Sequence, residues 1–231
     1  MKIGIMQPYF FPYLGYWQLI NAVDKYVVYD DVNFIKGGWI SRNNILIQNQ
    51  QHMITLQLED SSPFKLINEI KYTTNDKVIG KLLRTIENAY RKAPYFAEVM
   101  PIIAEVFKDT ETIADLNYKA IQLVANYLYM NTEIILSSSL EKDNNLKGED
   151  KVIHINKILG SDCYLNTIAG EKLYSKERFE GEGILLHFLS MNSISYPQFN
   201  QEFVPNLSII DVLMFNSKEE CNRMLNDYTL V

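Results

Sequence analysis

The chain opens on a short apolar run, Ile3, Ile5 and Met6, that stops at Gln7-Pro8. A turn rich in Pro, Tyr, Phe and Gly leads to Gly15, after which Trp17, Leu19, Ile20 and Val23 recur at roughly helical spacing. Residues 26–29 are β-branched and aromatic and end on Asp30-Asp31, so the start reads as strand, turn, helix, strand. A strand, a short crossover helix and a second strand begin a parallel sheet, with a right-handed connection.

Residues 32–42 read as a loop containing Gly37-Gly38, and 44–58 as a hairpin whose turn falls at 48–51. A mainly helical block follows at about 72–130. Residues 77–92 carry Val78, Leu82, Leu83, Ile86 and Tyr90, the stripe of a surface helix. Pro94 breaks that helix; a second spans 95–107 with Pro101 inside it, and a third spans 112–130. Alternation then returns. A strand at 133–136, a polar loop from Ser137 to Lys147, a helix at 149–159 stopped by Gly160, and strands at 163–166 and 183–188 are predicted. Ser217 and Glu220 have capping-box spacing and open a final helix. Strands alternating with helices at both ends predict one α/β domain over 1–231, Rossmann-like with a mainly parallel sheet and an inserted helical block.

Composition narrows the class without naming it. Hydrophobic residues make up 47% and charged residues 22%, which excludes disorder and coiled coil. The formal charge of −6 argues against a nucleic-acid coat. No run approaches the length of a membrane span, and the N-terminus lacks a signal-like apolar stretch, so a cytoplasmic address is expected. Cys163 and Cys221 have no ligand-like spacing and are expected to be inert thiols. His52, His154 and His187 lie far apart, and no metal is expected. No phosphate-binding glycine motif or nucleophile elbow occurs.

In parallel α/β sheets the ligand sits beyond the carboxyl ends of the strands. The segment from Gln7 to Gly15 occupies that place after the first strand, and residues 30–43 occupy it after the second. Tyr9, Phe10, Phe11 and Tyr13 are many rings for a solvated turn; they either plug the end of the core or wall a pocket with Gln7 as polar handle. Asp30-Asp31, followed by Lys36, Trp39, Arg42 and Asn43, is either a solvated turn or a site for a polar anionic ligand, with a carboxylate accepting a proton. Asn166, Gly170 and Tyr174, after a late strand, are placed to complete such a pocket. Six cations, Lys71, Lys77, Lys81, Arg84, Arg91 and Lys92, cluster around one helix, as a solvated face or as a partner for pyrophosphate.

Several of these segments resemble one family closely. The run from Met6-Gln7-Pro8-Tyr9-Phe10-Phe11-Pro12 to Tyr16, then Tyr29-Asp30-Asp31-Val32 and Trp39-Ile40-Ser41-Arg42-Asn43, is similar to the opening of the WbqC-like protein family. Tyr164-Leu165-Asn166 with Gly170 and Tyr174, and Tyr196-Pro197-Gln198 with Leu207-Ser208-Ile209-Ile210-Asp211, resemble its C-terminal signatures. The family is associated with O-antigen and other surface-polysaccharide gene clusters. The resemblance therefore implies a transferase of surface-glycan assembly that acylates or aminoacylates the amino group of a nucleotide-linked sugar. It implies an acyl or aminoacyl donor; charge and composition add the expectation of no nucleic-acid partner and no membrane span, and self-association stays open. On this reading Asp31 is the base and Asp30 orients it. Gln7, Tyr9, Phe10, Gly15, Tyr16, Lys36, Trp39, Arg42, Asn43, Asn166, Gly170 and Tyr174 line one pocket, with Arg42 clamping the pyrophosphate.

Two alternatives stand beside it. One is a non-catalytic module that keeps the nucleotide-sugar pocket. The other rests on a weaker likeness: Tyr13-Leu14-Gly15-Tyr16 sits where nucleotidylyltransferases and pantothenate synthetases carry two phosphate-gripping histidines. A phenol is uncharged at neutral pH, so that reading loses its cations.

Overall fold

The computed structural model describes residues 1–199 and 202–231. Strand β1 (Lys2–Met6) is followed by helix α1 (Leu14–Asn21), β2 (Lys25–Val28) and a hairpin of β3 (Arg42–Ile47) and β4 (Gln50–Thr55). Two short strands, β5 (Leu58–Glu59) and β6 (Lys71–Tyr72), pair with each other before the helical block of α2 (Asp76–Tyr90), α3 (Phe96–Glu105) and α4 (Ile113–Tyr127). The chain then returns through β7 (Glu133–Leu136), α5 (Gly148–Ile158), β8 (Cys163–Thr167), α6 (Lys176–Gly181) and β9 (Leu185–Met191). It closes with α7 (Ile209–Phe215), α8 (Lys218–Leu225) and β10 (Tyr228–Leu230).

Six strands form one sheet in the order β10-β9-β8-β1-β2-β7, all parallel except β10. Read from the other edge, the order runs outward from β1 through β2 to β7, then jumps back to β8 on the opposite side of β1. This is the strand order of a doubly wound sheet, and the reversal falls between β1 and β8. The period-2 alternation of the strands explains the layers. Ile3, Ile5, Val27 and Tyr164 point into a core covered by α5 and α6, while Tyr26, Val28 and Leu165 point into a larger core shared with α1, the hairpin and the helical block.

Helix ends follow the sequence chemistry. Thr112 caps α4 by accepting from the Asp115 N–H, and Asp115 reciprocates to the Thr112 N–H. Gly160, with φ +69°, ends the turn after α5 as the C-cap type residue it reads as.

Candidate functional site

A knot of buried side chains fixes the loop after β1. Asn43 Nδ2 donates to the carbonyls of Phe10 (3.0 Å) and Phe11 (2.8 Å), while Asn117 Nδ2 donates to those of Pro8 (3.0 Å) and Ile40 (2.8 Å). The Ser208 hydroxyl donates to the Phe11 carbonyl at 2.7 Å, and Trp17 Nε1 to that of Pro12 at 3.0 Å. These bonds hold Phe11 at φ +43°, a left-handed conformation uncommon for an aromatic residue. Phe10, Phe11 and Tyr16 are fully buried, so these rings plug the end of the core. Tyr16 reaches back to donate to the Gln7 carbonyl at 2.9 Å. Gly15 lies under the Tyr13 ring; a Cβ there would meet Tyr13 Cε2 at 2.6 Å.

The plug has a chemical consequence. In doubly wound nucleotide-binding folds the phosphate rests on the N-terminus of the first helix. Here Leu14, Gly15 and Tyr16 occupy that first turn and are buried, so no ligand phosphate reaches it. A ligand anion has to find its positive charge elsewhere at the same sheet edge.

That edge carries a cleft at the β1/β8 reversal. About 290 Å³ lies between Gln7 and Tyr9 on one side and Asn166, Gly170 and Tyr174 on the other. It adjoins a second chamber of about 460 Å³ over Asp31, walled by Asn33, Asn144, Lys147 and Lys151. Gln7, Tyr29 and Ile35 line both, so the two chambers form one crevice. Asn166 is held rigid: its Nδ2 donates to the Tyr164 hydroxyl at 2.6 Å and its Oδ1 accepts from the Thr167 N–H at 2.7 Å. A Cβ on Gly170 would sit 2.9 Å from that Oδ1, so the turn after β8 requires glycine for its close approach.

The two aspartates part company at the end of β2. Asp30 is buried and accepts from the Ser138 N–H (2.9 Å), the Ser138 hydroxyl (2.5 Å) and Asn68 Nδ2 (3.3 Å), which ties β2 to the turn after β7. Asp31 faces the crevice and pairs with Lys142 at 2.8 Å and Lys151 at 3.1 Å. The side chains are nearly sealed: 1% of Lys142, 7% of Lys151 and 10% of Asp31 is exposed. Lys142 also donates to the Ser137 carbonyl, and Lys151 to the Asp31 carbonyl at 3.1 Å. Burial pushes the Asp31 carboxyl up, but hydrogen bonds from Lys142 and Lys151 outweigh it and hold the group below the ordinary carboxylate range. Ser137 Oγ and Asp31 Oδ1 are both buried without a hydrogen-bond partner among the described residues.

Helix α5 begins at the rim of this chamber. Its N-cap, Lys147, makes no side-chain cap; the residue is exposed and lines the chamber. The first-turn acids Glu149 and Asp150 point to Arg178, with Glu149 3.3 Å from its Nε, so their charge is taken up on the surface. Lys151 Nζ lies 5.3 Å from the Tyr29 ring centroid, within cation–π range.

The residues singled out from the sequence therefore part company in the structure. Gln7, Tyr9, Asp31, Asn166, Gly170 and Tyr174 meet in the crevice. Asp30, Phe10, Gly15 and Tyr16 are struts or core, each for the packing reason given above. Trp39 and Asn43 line a separate open groove of about 230 Å³ with Tyr13, reached across the Tyr9 ring. Lys36 is exposed and borders neither chamber. Arg42 borders neither chamber, and its guanidinium donates to the Gly37 carbonyl in its own loop. The cations of the crevice wall are Lys147 and Lys151, with Lys142 buried against Asp31; none stood out in the sequence, because they lie over 100 residues from Asp31 in a polar loop and an ordinary helix. Burial raises both thiols, Cys221 to about 12, so neither cysteine is an activated nucleophile. Among the described residues no group of three or more His, Cys, Asp or Glu side chains is placed to hold a metal ion, and no helix is long and apolar enough to cross a membrane.

The profile of the WbqC-like protein family matches residues 7–223. The chain is 24% identical over 219 residues to a Mycobacterium tuberculosis protein named "Uncharacterized protein Rv1507c", a match that covers 93% of each chain. No solved structure matches it.

Proposed function

The chain belongs to the WbqC-like protein family, and from that premise and the crevice geometry we propose that it binds a nucleotide-linked sugar at the β1/β8 reversal and serves surface-glycan assembly. Convergence carries this reading. Gln7, Asp31, Lys147 and the turn from Asn166 to Gly170 belong to four separate segments, yet they line one crevice at the place where doubly wound sheets bind ligands. Lys147 and Lys151 supply positive charge for a diphosphate. The Gln7 amide suits sugar or base hydroxyl and carbonyl groups, and Tyr9, Tyr29 and Tyr174 offer ring faces.

A second reading adds turnover. Two adjoining chambers give room for a sugar nucleotide and an acyl or aminoacyl donor together. The sugar's amine nitrogen would attack the donor carbonyl, the donor's leaving group would depart, and a base would take the nitrogen's proton. Asp31 is the carboxylate within reach, but its two lysines make it a weak proton acceptor, which favours binding without turnover. Nucleotidyl transfer has no support, since Tyr13 covers Gly15 and Tyr16 is sealed in the core.

Calorimetric titration with UDP- or dTDP-linked amino sugars, paired with mass spectrometry after adding acyl donors, tests both. Binding without a mass change favours the module. A mass change abolished by Asp31→Asn with affinity retained favours the transferase. Neither binding nor product across the panel defeats the proposal.

A further inference from the structure

The β3–β4 hairpin has one edge whose backbone groups pair with nothing outside the hairpin among the described residues, although the Gln51 side chain donates to the Pro205 carbonyl at 2.9 Å. Its turn is two residues long, Gln48 and Asn49, both at positive φ, so Ile47 and Gln50 close it as a hydrogen-bonded pair. Alternation along the register then directs the backbone groups of Gln51, Met53 and Thr55 away from β3. The equivalent outward groups of β3 are occupied: the Asn44 carbonyl accepts from the Ser208 N–H at 2.8 Å, and the Leu46 N–H donates to the Tyr90 hydroxyl at 2.9 Å. Those of β4 meet no residue outside the hairpin among the described ones. Edge strands usually carry a charge or a proline that deters pairing, whereas β4, Gln-Gln-His-Met-Ile-Thr, has neither.

Beside this edge runs a trough of about 270 Å³ whose far wall is α2, with Val78, Ile79 and Leu82 half-buried along it. A strand edge facing a helix across a trough lined by both apolar and polar side chains is an arrangement that binds extended peptides by strand addition. Its charge is one-sided. Lys81 lines the trough and no carboxylate does; Lys77, Lys81 and Arg84 on the same helix form no ion pair among the described residues. A second copy paired here would set those cations against themselves.

We propose that the β4 edge and the α2 trough take an extended peptide of alternating apolar and acidic residues from a partner protein. Its backbone pairs with Gln51, Met53 and Thr55, its apolar side chains enter the trough, and its carboxylates meet Lys81 and the neighbouring α2 cations.

The probe is a fluorescein-labelled, end-capped heptapeptide alternating valine and glutamate. Anisotropy on the full chain should show saturable binding that falls about tenfold or more when alternate peptide amides are N-methylated, when lysine replaces glutamate, or when the protein carries Lys81→Glu. In amide-resolved NMR the largest shifts should fall on Gln51, Met53 and Thr55. Because N-methylation alters only the peptide, the result does not depend on a variant folding. Absence of binding, equal binding of the acidic and basic peptides, indifference to N-methylation, or concentration-dependent dimerisation that excludes the peptide each overturns the proposal.

Discussion

Asp31 and Asp211 are buried carboxylates whose surroundings move their titrations in opposite directions. Asp31 is held below the ordinary range, so its stabilising contribution is complete above the unfolded carboxylate value of about 4 and is lost as pH falls through the lower folded value. Thermal melts should show wild type more stable than Asp31→Asn near neutrality, with the gap closing on acidification; a gap constant into strong acid contradicts the lysine pairing. Asp211 accepts from Tyr196 (2.8 Å), Gln198 (2.7 Å) and Tyr90 (2.9 Å), yet burial outweighs these bonds and raises its carboxyl. The folded state then holds its proton more tightly than the unfolded chain, and the stability Asp211 contributes falls as pH rises from about 4 toward the raised value. The gap between wild type and Asp211→Asn should therefore shrink with rising pH, the reverse of Asp31, and parallel slopes for the two variants would show that one assignment is wrong.

At the scale of elements, the loop after β1 depends on amides from β3 and α4. Asn43→Ala removes the Nδ2 group that donates to the Phe10 and Phe11 carbonyls; Phe11 keeps its bond from Ser208, whereas the Phe10 carbonyl loses its donor, at a cost of about 1–3 kcal/mol. Because Tyr9 stands beside the freed residues and lines the crevice, the variant should lose both melting temperature and affinity for a sugar nucleotide; a stability loss alone would uncouple loop from crevice. This knot also explains why segments far apart in the chain carry the family pattern together. The residues around Gln7 to Tyr16, Trp39 to Asn43 and Leu207 to Asp211 are parts of one scaffold, and Ser208 accordingly bonds Phe11. Their rings and amides look like a binding surface when read in sequence, and much of that pattern is internal support. The strands and long helices were legible because their apolar periods are clean. Helix α7 was not, since Ile209, Ile210, Val212, Leu213 and Met214 are buried all round and leave no polar face to reveal a period. Helix α6 and strand β10 are too short to build a pattern.

For the whole molecule, the deciding fact is which side of β1 the late strand β8 takes. The first strand, helix and strand predict a parallel sheet, but no local pattern reports the jump that sets the β1/β8 reversal or draws Lys142 and Lys151 to Asp31. Gln7, Tyr9, Asp31 and the turn after β8, which share the crevice, stand out in the sequence because each follows a strand's carboxyl end. The crevice cations do not, because they belong to a loop and a helix whose place depends on that jump. The crevice is the central claim, and a crystal of the chain grown with a UDP- or dTDP-linked amino sugar tests it most directly. Diphosphate density is expected beside Lys147 and Lys151, with the remainder of the ligand between Gln7 and Gly170. Density in the Trp39 groove instead, with the crevice filled only by water, would contradict it.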